Sequence, residues 1–295
     1  MYNMQKRVTS LDILLLVVII GALSALSYHL VTKLNYHWNW SVIPNYIYRY
    51  DQVTGHIKAG QLTQGLLVTL RLSVWSILFA LIIGTIMGLF RVSPRPLFRM
   101  ISSTYVGIIR NIPPLVLIFI FYFFIADQLM SLTGITDLSY SMEDKDFPLL
   151  TFLCGPIEQL PAFLSGVLTM SLFEGAYITE IVRAGIEAVP KEQWEASKAL
   201  GFNRTKQLTN IILPQAFSQS LPTLAGQFIS TIKDSSIVSV ISIQELTFAG
   251  QELMSATYRT FEIWSVVIIL YFLLTFPCSI AVRALEKRMN RHKQG

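Results

Sequence analysis

Leu72-Ser-Val-Trp-Ser-Ile-Leu-Phe-Ala-Leu-Ile-Ile-Gly-Thr-Ile-Met-Gly-Leu-Phe90 carries no charged side chain and ends at Arg91. At 1.5 Å of rise per residue, a helix of this length covers most of the roughly 30 Å of hydrocarbon in a bilayer. A backbone facing lipid must satisfy its own hydrogen bonds, so the run is expected to be helical. Five further runs read the same way. Ile13–Thr32 is free of formal charge and follows Lys6 and Arg7. Ile101–Ala126 is apolar apart from Arg110 and the break Asn111-Ile-Pro-Pro114. Pro161–Ala188 contains Glu174, Glu180 and Arg183. Ser220–Ser242 surrounds the adjacent pair Lys233-Asp234, and Ile263–Val282 runs into a basic tail. The expected fold is therefore an all-α integral membrane protein of six spans.

Composition agrees with lipid as the main solvent. Of the 295 residues, 53% are hydrophobic and only 14% charged, with a mean hydropathy of +0.52. A soluble domain carries about 25% charged residues. The net charge of +5 is spread over short loops and a tail, without a basic face interleaved with aromatics, which argues against nucleic acid. Lys and Arg positions then set the orientation. With both termini cytoplasmic, the inner segments hold fifteen of the 23 Lys and Arg. The outer segments hold five (Lys33, Arg49, Lys58, Lys145, Arg259), and Arg71, Arg110 and Lys233 lie within or at the edges of spans. Cys154 and Cys278 fall on opposite sides in this topology and should not pair. The scattered histidines, with no HExxH and no phosphate-cradling loop, point to no metal, no cofactor and no catalytic residue. The first run resembles a secretory signal in its Lys6-Arg7 start and small residues, yet its length favours an uncleaved helix. The longest outer loop, Asp127 to Leu160, is acidic at Glu143–Asp146 and Glu158 and reads as a plain connector.

Pro190-Lys-Glu-Gln-Trp-Glu-Ala-Ser-Lys-Ala-Leu-Gly201 is the most informative inner segment. Pro190 suits a first helical turn, Glu192 and Lys198 complement the helix dipole, and Gly201 suits a left-handed C-terminal cap. Asn203 can cap a second short helix through Leu213, with Pro214 as its expected terminator. Helices this short are unstable alone and must pack on something, either the protein's own bundle or a cytoplasmic partner.

Glu195-Ala196-Ser197, three residues, Gly201, nine residues, then Ile211-Ile-Leu-Pro214 resembles the EAA motif of binding-protein-dependent ABC importer permeases, E-A-A-x3-G-x9-I-x-L-P. Ser197 in place of the second alanine is the single departure. Gly65–Ser73, Arg110–Leu115, Ala176–Ile186, Gln227–Ser236 and Ser242–Thr247 resemble the polar-amino-acid branch of the family, over roughly Gln61 to Arg288. The resemblance implies a five-helix ABC-importer permease core at 61–288 with a cytoplasmic coupling loop at 189–219. One extra N-terminal transmembrane helix and its outer loop (1–60) precede it, and a basic cytoplasmic tail (289–295) follows. It further implies ATPase coupling through Glu195, Ala196, Ser197, Gly201, Ile211, Leu213 and Pro214. The implied partners are two ABC ATPase subunits, a second permease (identical or homologous) and an extracytoplasmic amino-acid-binding protein, with the chain itself in the bacterial inner membrane. Phe173–Tyr177 resembles the corresponding segment of glutamate, aspartate and glutamine systems.

Charges within the spans are expensive and so are functional candidates. Arg183 lies three residues from Glu180 and four from Glu187, the spacing of a structural ion pair. Lys233 and Asp234 point about 100° apart on a helix and cannot satisfy each other. Each needs another partner, or the helix breaks there, for which Ser235-Ser236 is suited. A free amino acid requires a carboxylate for its ammonium group and a cation or helix N-terminus for its carboxylate. Glu174 is the candidate for the first; Arg71, Asn111, Lys233 and Asp234 are the candidates that complete the substrate pathway. Two rivals remain beside the importer reading. An ion-coupled carrier would have no use for a two-helix inner loop, and a membrane protease lacks candidate residues.

Overall fold

The structure, a computed structural model, describes residues 10–33, 36–50, 55–142 and 147–291. Lys6, Arg7, Lys145, His292, Lys293 and the acidic stretch Glu143–Asp146 lie outside them. Residues 1–41 and 42–295 form two separate compact units.

The first unit is a helix, α1 (Ser10–Lys33), followed by an aromatic segment. Its apolar stretch is Ser10–Ala22. Trp38 stacks on Trp40, and Tyr36 meets Trp38 edge-on. Amphipathic aromatics of this kind suit a membrane–water boundary.

The second unit begins with a short helix, α2 (Ile43–Ile47), and a two-stranded hairpin, β1 (Tyr48–Tyr50) and β2 (Ile57–Ala59), paired antiparallel with Arg49 opposite Lys58. Ile43, grouped with the first helix on sequence, packs with the bundle instead: it shares a core with Leu62, Leu246, Ile263 and Val267, against which Tyr46 and Ile47 also lie. Helices α3 (Gln61–Arg91), α4 (Pro96–Asn111), α5 (Pro114–Phe121), α6 (Asp127–Leu132), α7 (Ile135–Ser141) and α8 (Pro148–Cys154) follow. Next come α9 (Leu160–Glu187), α10 (Lys191–Ala199), α11 (Arg204–Gln207), α12 (Leu213–Asp234), α13 (Leu246–Thr257) and α14 (Thr260–Arg291).

Among the described residues four helical stretches are long and apolar enough to cross a membrane: 61–91, 114–132, 157–187 and 260–287. The 22-residue α12 is long enough but carries Gln215, Gln219, Gln227 and Lys233-Asp234 along its length. Its polarity belongs to the interior of a bundle and to a loop-proximal position.

Close contact between α3 and α9 organises the bundle, and glycine permits it. A methyl group added at Gly84 would lie 2.5 Å from Ile178 Cγ2, and one at Gly88 would lie 2.6 Å from Val182 Cγ1. In lipid, where apolar burial between helices gives little drive, such small-residue contacts let backbones approach and dispersion accumulate. The Ser102 hydroxyl donates to the Met87 carbonyl at 2.7 Å and fixes α4 beside α3.

Two sequence expectations require correction. The run Ile101–Ala126 is not one span. Ile112 is extended (φ −104°, ψ 141°) because the following proline disfavours the helical region, so α4 ends at Asn111 and a new helix starts at Pro114. That helix reaches Leu132 through a π-helical segment at Tyr122–Ala126. Between Leu132 and α9 the described residues form α7, α8 and a short 3₁₀ turn at Ile157–Gln159. Finally, Pro214 terminates nothing. A π-helical segment, Leu208–Ile212, joins α11 to α12, and the Leu213 N–H reaches back five residues to the Leu208 carbonyl. Widening the turn there absorbs the missing proline N–H and its steric clash, so the helix continues.

Candidate coupling surface and buried polar site

The 189–219 loop folds as its local signals dictate. Pro190 leads into α10, and Gly201 sits in the left-handed region (φ 78°). The Gly201 N–H donates to the Lys198 carbonyl at 3.0 Å and the Phe202 N–H to the Ser197 carbonyl at 3.2 Å, the two bonds of a Schellman cap. The Asn203 side chain then accepts from the Lys206 N–H at 2.9 Å, capping α11.

One side of this helical pair is buried on the bundle. Trp194, Leu208, Ile211 and Leu213 pack around the buried Ile186, Val189, Ile212 and Ala216. The Arg204 guanidinium lies 4.1 Å from the centre of the Trp194 ring. Ser197 is also buried, with its hydroxyl donating to the Trp194 carbonyl at 2.8 Å. The departure from the alanine pattern thus falls on the inward face, where the hydroxyl is satisfied locally. The opposite side is open: Glu195, Ala196, Gly201 and Pro214 are exposed, and Leu200 is 75% exposed. The loop presents a firmly backed knob with an apolar tip. Sequence reading missed Ile212, which is fully buried while its motif neighbour Ile211 is only partly so.

Above this loop lies an ionic cluster. Arg183 Nη2 is 2.8 Å from Glu180 Oε2, and Arg183 also pairs with Glu187. Arg91 from α3 and Arg110 from α4 approach the same Glu180 carboxylate at 3.7 and 4.0 Å. The i,i+3 and i,i+4 pairing was legible in the sequence; the two arginines from other helices were not.

Glu174, in the middle of α9, is fully buried. The Gln227 side-chain amide from α12 donates to its Oε2 at 2.6 Å. Its Oε1 has no hydrogen-bond partner among the described residues. Thr231 lies nearby, but its hydroxyl donates to the Gln227 carbonyl instead. Asp234 is close enough to interact electrostatically with Glu174, and Tyr177 feels Glu174, Asp234 and Arg110. The other candidates are dispersed. Lys233 is exposed, and Asp234 ends α12 where the chain tightens into a 3₁₀ segment, Ser235–Ile241, so the break at Ser235-Ser236 is present. The Asn111 amide donates to the Gly107 carbonyl at 2.8 Å and closes its own helix. Arg71 sits by Cys154 and Gly155, where a methyl added at Gly155 would lie 3.4 Å from its Nη1. Gln227 is thus the functional candidate that sequence reading left unassigned; its helix position relative to Glu174 gave no signal. Both cysteines are free thiols.

A second buried carboxylate, Glu245, precedes α13. It accepts from the Phe248 N–H at 2.8 Å, from Tyr271 at 2.7 Å and from Thr69 at 3.3 Å.

Comparisons with known proteins agree with this architecture. Residues 80–291 match the pattern of the family described as "Binding-protein-dependent transport system inner membrane component". The chain is 30% identical over 223 residues to the probable glutamine ABC transporter permease protein GlnM of Bacillus subtilis, covering 76% of this chain and 90% of that one. It is 34% identical to the L-cystine transport system permease protein TcyB of the same organism, with coverages of 78% and 87%. Against the glutamine transport system permease protein GlnP of Escherichia coli the identity is 31%, with coverages of 77% and 92%. A crystal structure of an amino acid ABC transporter with histidines superposes with a TM-score of 0.61 at 30% identity, covering 77% of this chain and 94% of that one. With its apolar helices and the backed knob at 190–214, the chain belongs to the family of binding-protein-dependent transport system inner membrane components, and is a multi-pass transport permease rather than an enzyme.

Proposed function

We propose that the chain is the permease of an ATP-driven importer of polar amino acids, with glutamine the first substrate to test. The relatives that carry glutamine or cystine in their names support the class. Six spans with both ends in the cytoplasm remain the preferred topology, since it collects the basic residues on one side. The chain pairs with an identical or homologous permease, docks two ATPase subunits on the 189–219 loops, and receives substrate from an extracytoplasmic binding protein. Closure of the ATPases moves the loops and with them α9 and α12, switching access from one face to the other. The permease supplies binding and motion, and lipid surrounds it.

One observation carries this reading: the exposed face of α10 ends in Leu200 and Gly201 while its other face is anchored in the core of the bundle. A force applied to that tip reaches the transmembrane helices with little slack. Glu174 serves as acceptor for the substrate ammonium, supported by its full burial and the free Oε1. Asp234 lies alongside, and Arg71, Asn111 and Lys233 are weaker candidates, engaged or oriented elsewhere.

Gly201→Trp in the reconstituted complex tests the coupling role. Nothing outside the adjoining chain lies within 4 Å of a Cβ added at Gly201, so a side chain has room to start there, at a left-handed backbone penalty of about 1–2 kcal/mol. Uptake is expected to fall at least tenfold while ATP hydrolysis and permease abundance persist. Normal uptake would remove the loop from the coupling mechanism.

A further inference from the structure

We propose that the concavity between the end of α3 and the first turns of α4 binds the phosphodiester headgroup of an anionic phospholipid. It measures about 300 Å³ and is lined by Arg91, Pro96, Arg99, Met100 and Ser103. Arg91 ends a long apolar helix, and a residue at such an end sits at headgroup depth.

Its chemistry is that of an anion site. No acidic residue lines it. Among the described residues Arg95 and Arg99 have no acidic partner within 4.0 Å, and the one carboxylate near Arg91, Glu180, is shared with Arg183 and Arg110. Positive charge is therefore left over. Guanidinium groups suit phosphate oxygens, with two N–H donors able to engage at once, and the Ser103 hydroxyl adds a further donor.

The site is built, too. Phe90 and Phe98 stack with ring centres 4.6 Å apart, bracing the turn between the helices. The Arg95 guanidinium lies 5.6 Å from the Phe98 ring, and the Ser102–Met87 hydrogen bond locks α4 to α3. Beside the arginines, Leu97 is 63% and Met100 66% exposed. This apolar shelf next to a cationic hollow favours a lipid over a free phosphate, because acyl chains cover the shelf once the headgroup is seated.

The test uses the purified transporter complex in neutral detergent, incubated with phosphatidylglycerol or phosphatidylcholine of identical acyl chains, with retained lipid measured by native mass spectrometry. Wild type is expected to retain phosphatidylglycerol preferentially. The Arg91→Gln/Arg99→Gln variant, which removes the two arginines of the lining, should lose roughly fivefold in retention per arginine removed. Arg283→Gln/Lys287→Gln, which removes equal charge from the last turns of α14, should lose none. Ser103→Leu keeps every charge but fills the hollow, and should also lower retention. The proposal falls if both hollow variants retain the lipid as wild type does, or if the α14 variant loses as much. Displacement by millimolar inorganic phosphate would likewise overturn it, since the site would then read phosphate alone.

Discussion

Glu174 and Glu245 are both fully buried carboxylates of the same helical bundle, yet their surroundings are opposite. Glu245 caps α13 and accepts from a backbone N–H and two hydroxyls, so α3, α13 and α14 meet on one saturated group. Thr69 extends the network by accepting the Leu246 N–H at 3.1 Å. Glu174 has one donor, Gln227, and an oxygen with no partner among the described residues. Burying a charge is costly unless it is fully hydrogen-bonded. Glu245 meets that condition and reads as architecture. Glu174 does not, and an unmet carboxylate in the middle of a transport protein is where a cationic group of the cargo has reason to bind.

The largest expected effect is Glu245→Ala, which strands three buried donors at about 1–3 kcal/mol each, with the total about 3–5 kcal/mol because neighbours relax. The melting midpoint of the detergent-solubilised protein should fall by about 10 °C. A melt indistinguishable from wild type would erase the contrast between the two sites. Glu174→Ala comes next. Uptake in proteoliposomes should drop about 100-fold, equivalent to roughly 2.7 kcal/mol. Its melting midpoint should stay level or rise, because the removed carboxylate was poorly satisfied. Unchanged uptake at normal permease levels would take Glu174 out of the pathway.

Tyr271→Phe removes a single donor from the Glu245 network and should lower the midpoint by about 2–4 °C, near 1 kcal/mol, with uptake intact. Smallest of all is Ser197→Ala, which restores the alanine of the motif on an inward, locally satisfied face. A change within about 0.5 kcal/mol and normal coupling are expected. Uncoupled ATP hydrolysis in that variant would mean that Ser197 touches a partner despite its burial.

Local features were the most legible part of the chain. The Schellman cap at Gly201 and the Asn203 cap each depend on residues at most six positions apart, and both are present. The same holds for the Arg183 pairs with Glu180 and Glu187. Pro214 misled for a related reason. A proline normally ends a helix, but the π-helical turn that accommodates it is stabilised by Ile212 burying against Ile186 and Val189, which no local rule contains. The Glu245 network joins residues up to 177 positions apart in sequence, and the arginines gathered on Glu180 come from three helices.

By itself the sequence determined the solvent, the helical state of the spans and the capped turn between α10 and α11. Backbone hydrogen bonds in lipid can be satisfied only within the segment, and caps act over one turn. Only the tertiary structure decided which buried carboxylate is saturated and which is left open, and which arginines share Glu180. Those outcomes depend on which helices lie against one another, and that is set by glycines such as Gly84 and Gly88 admitting Ile178 and Val182 at close range.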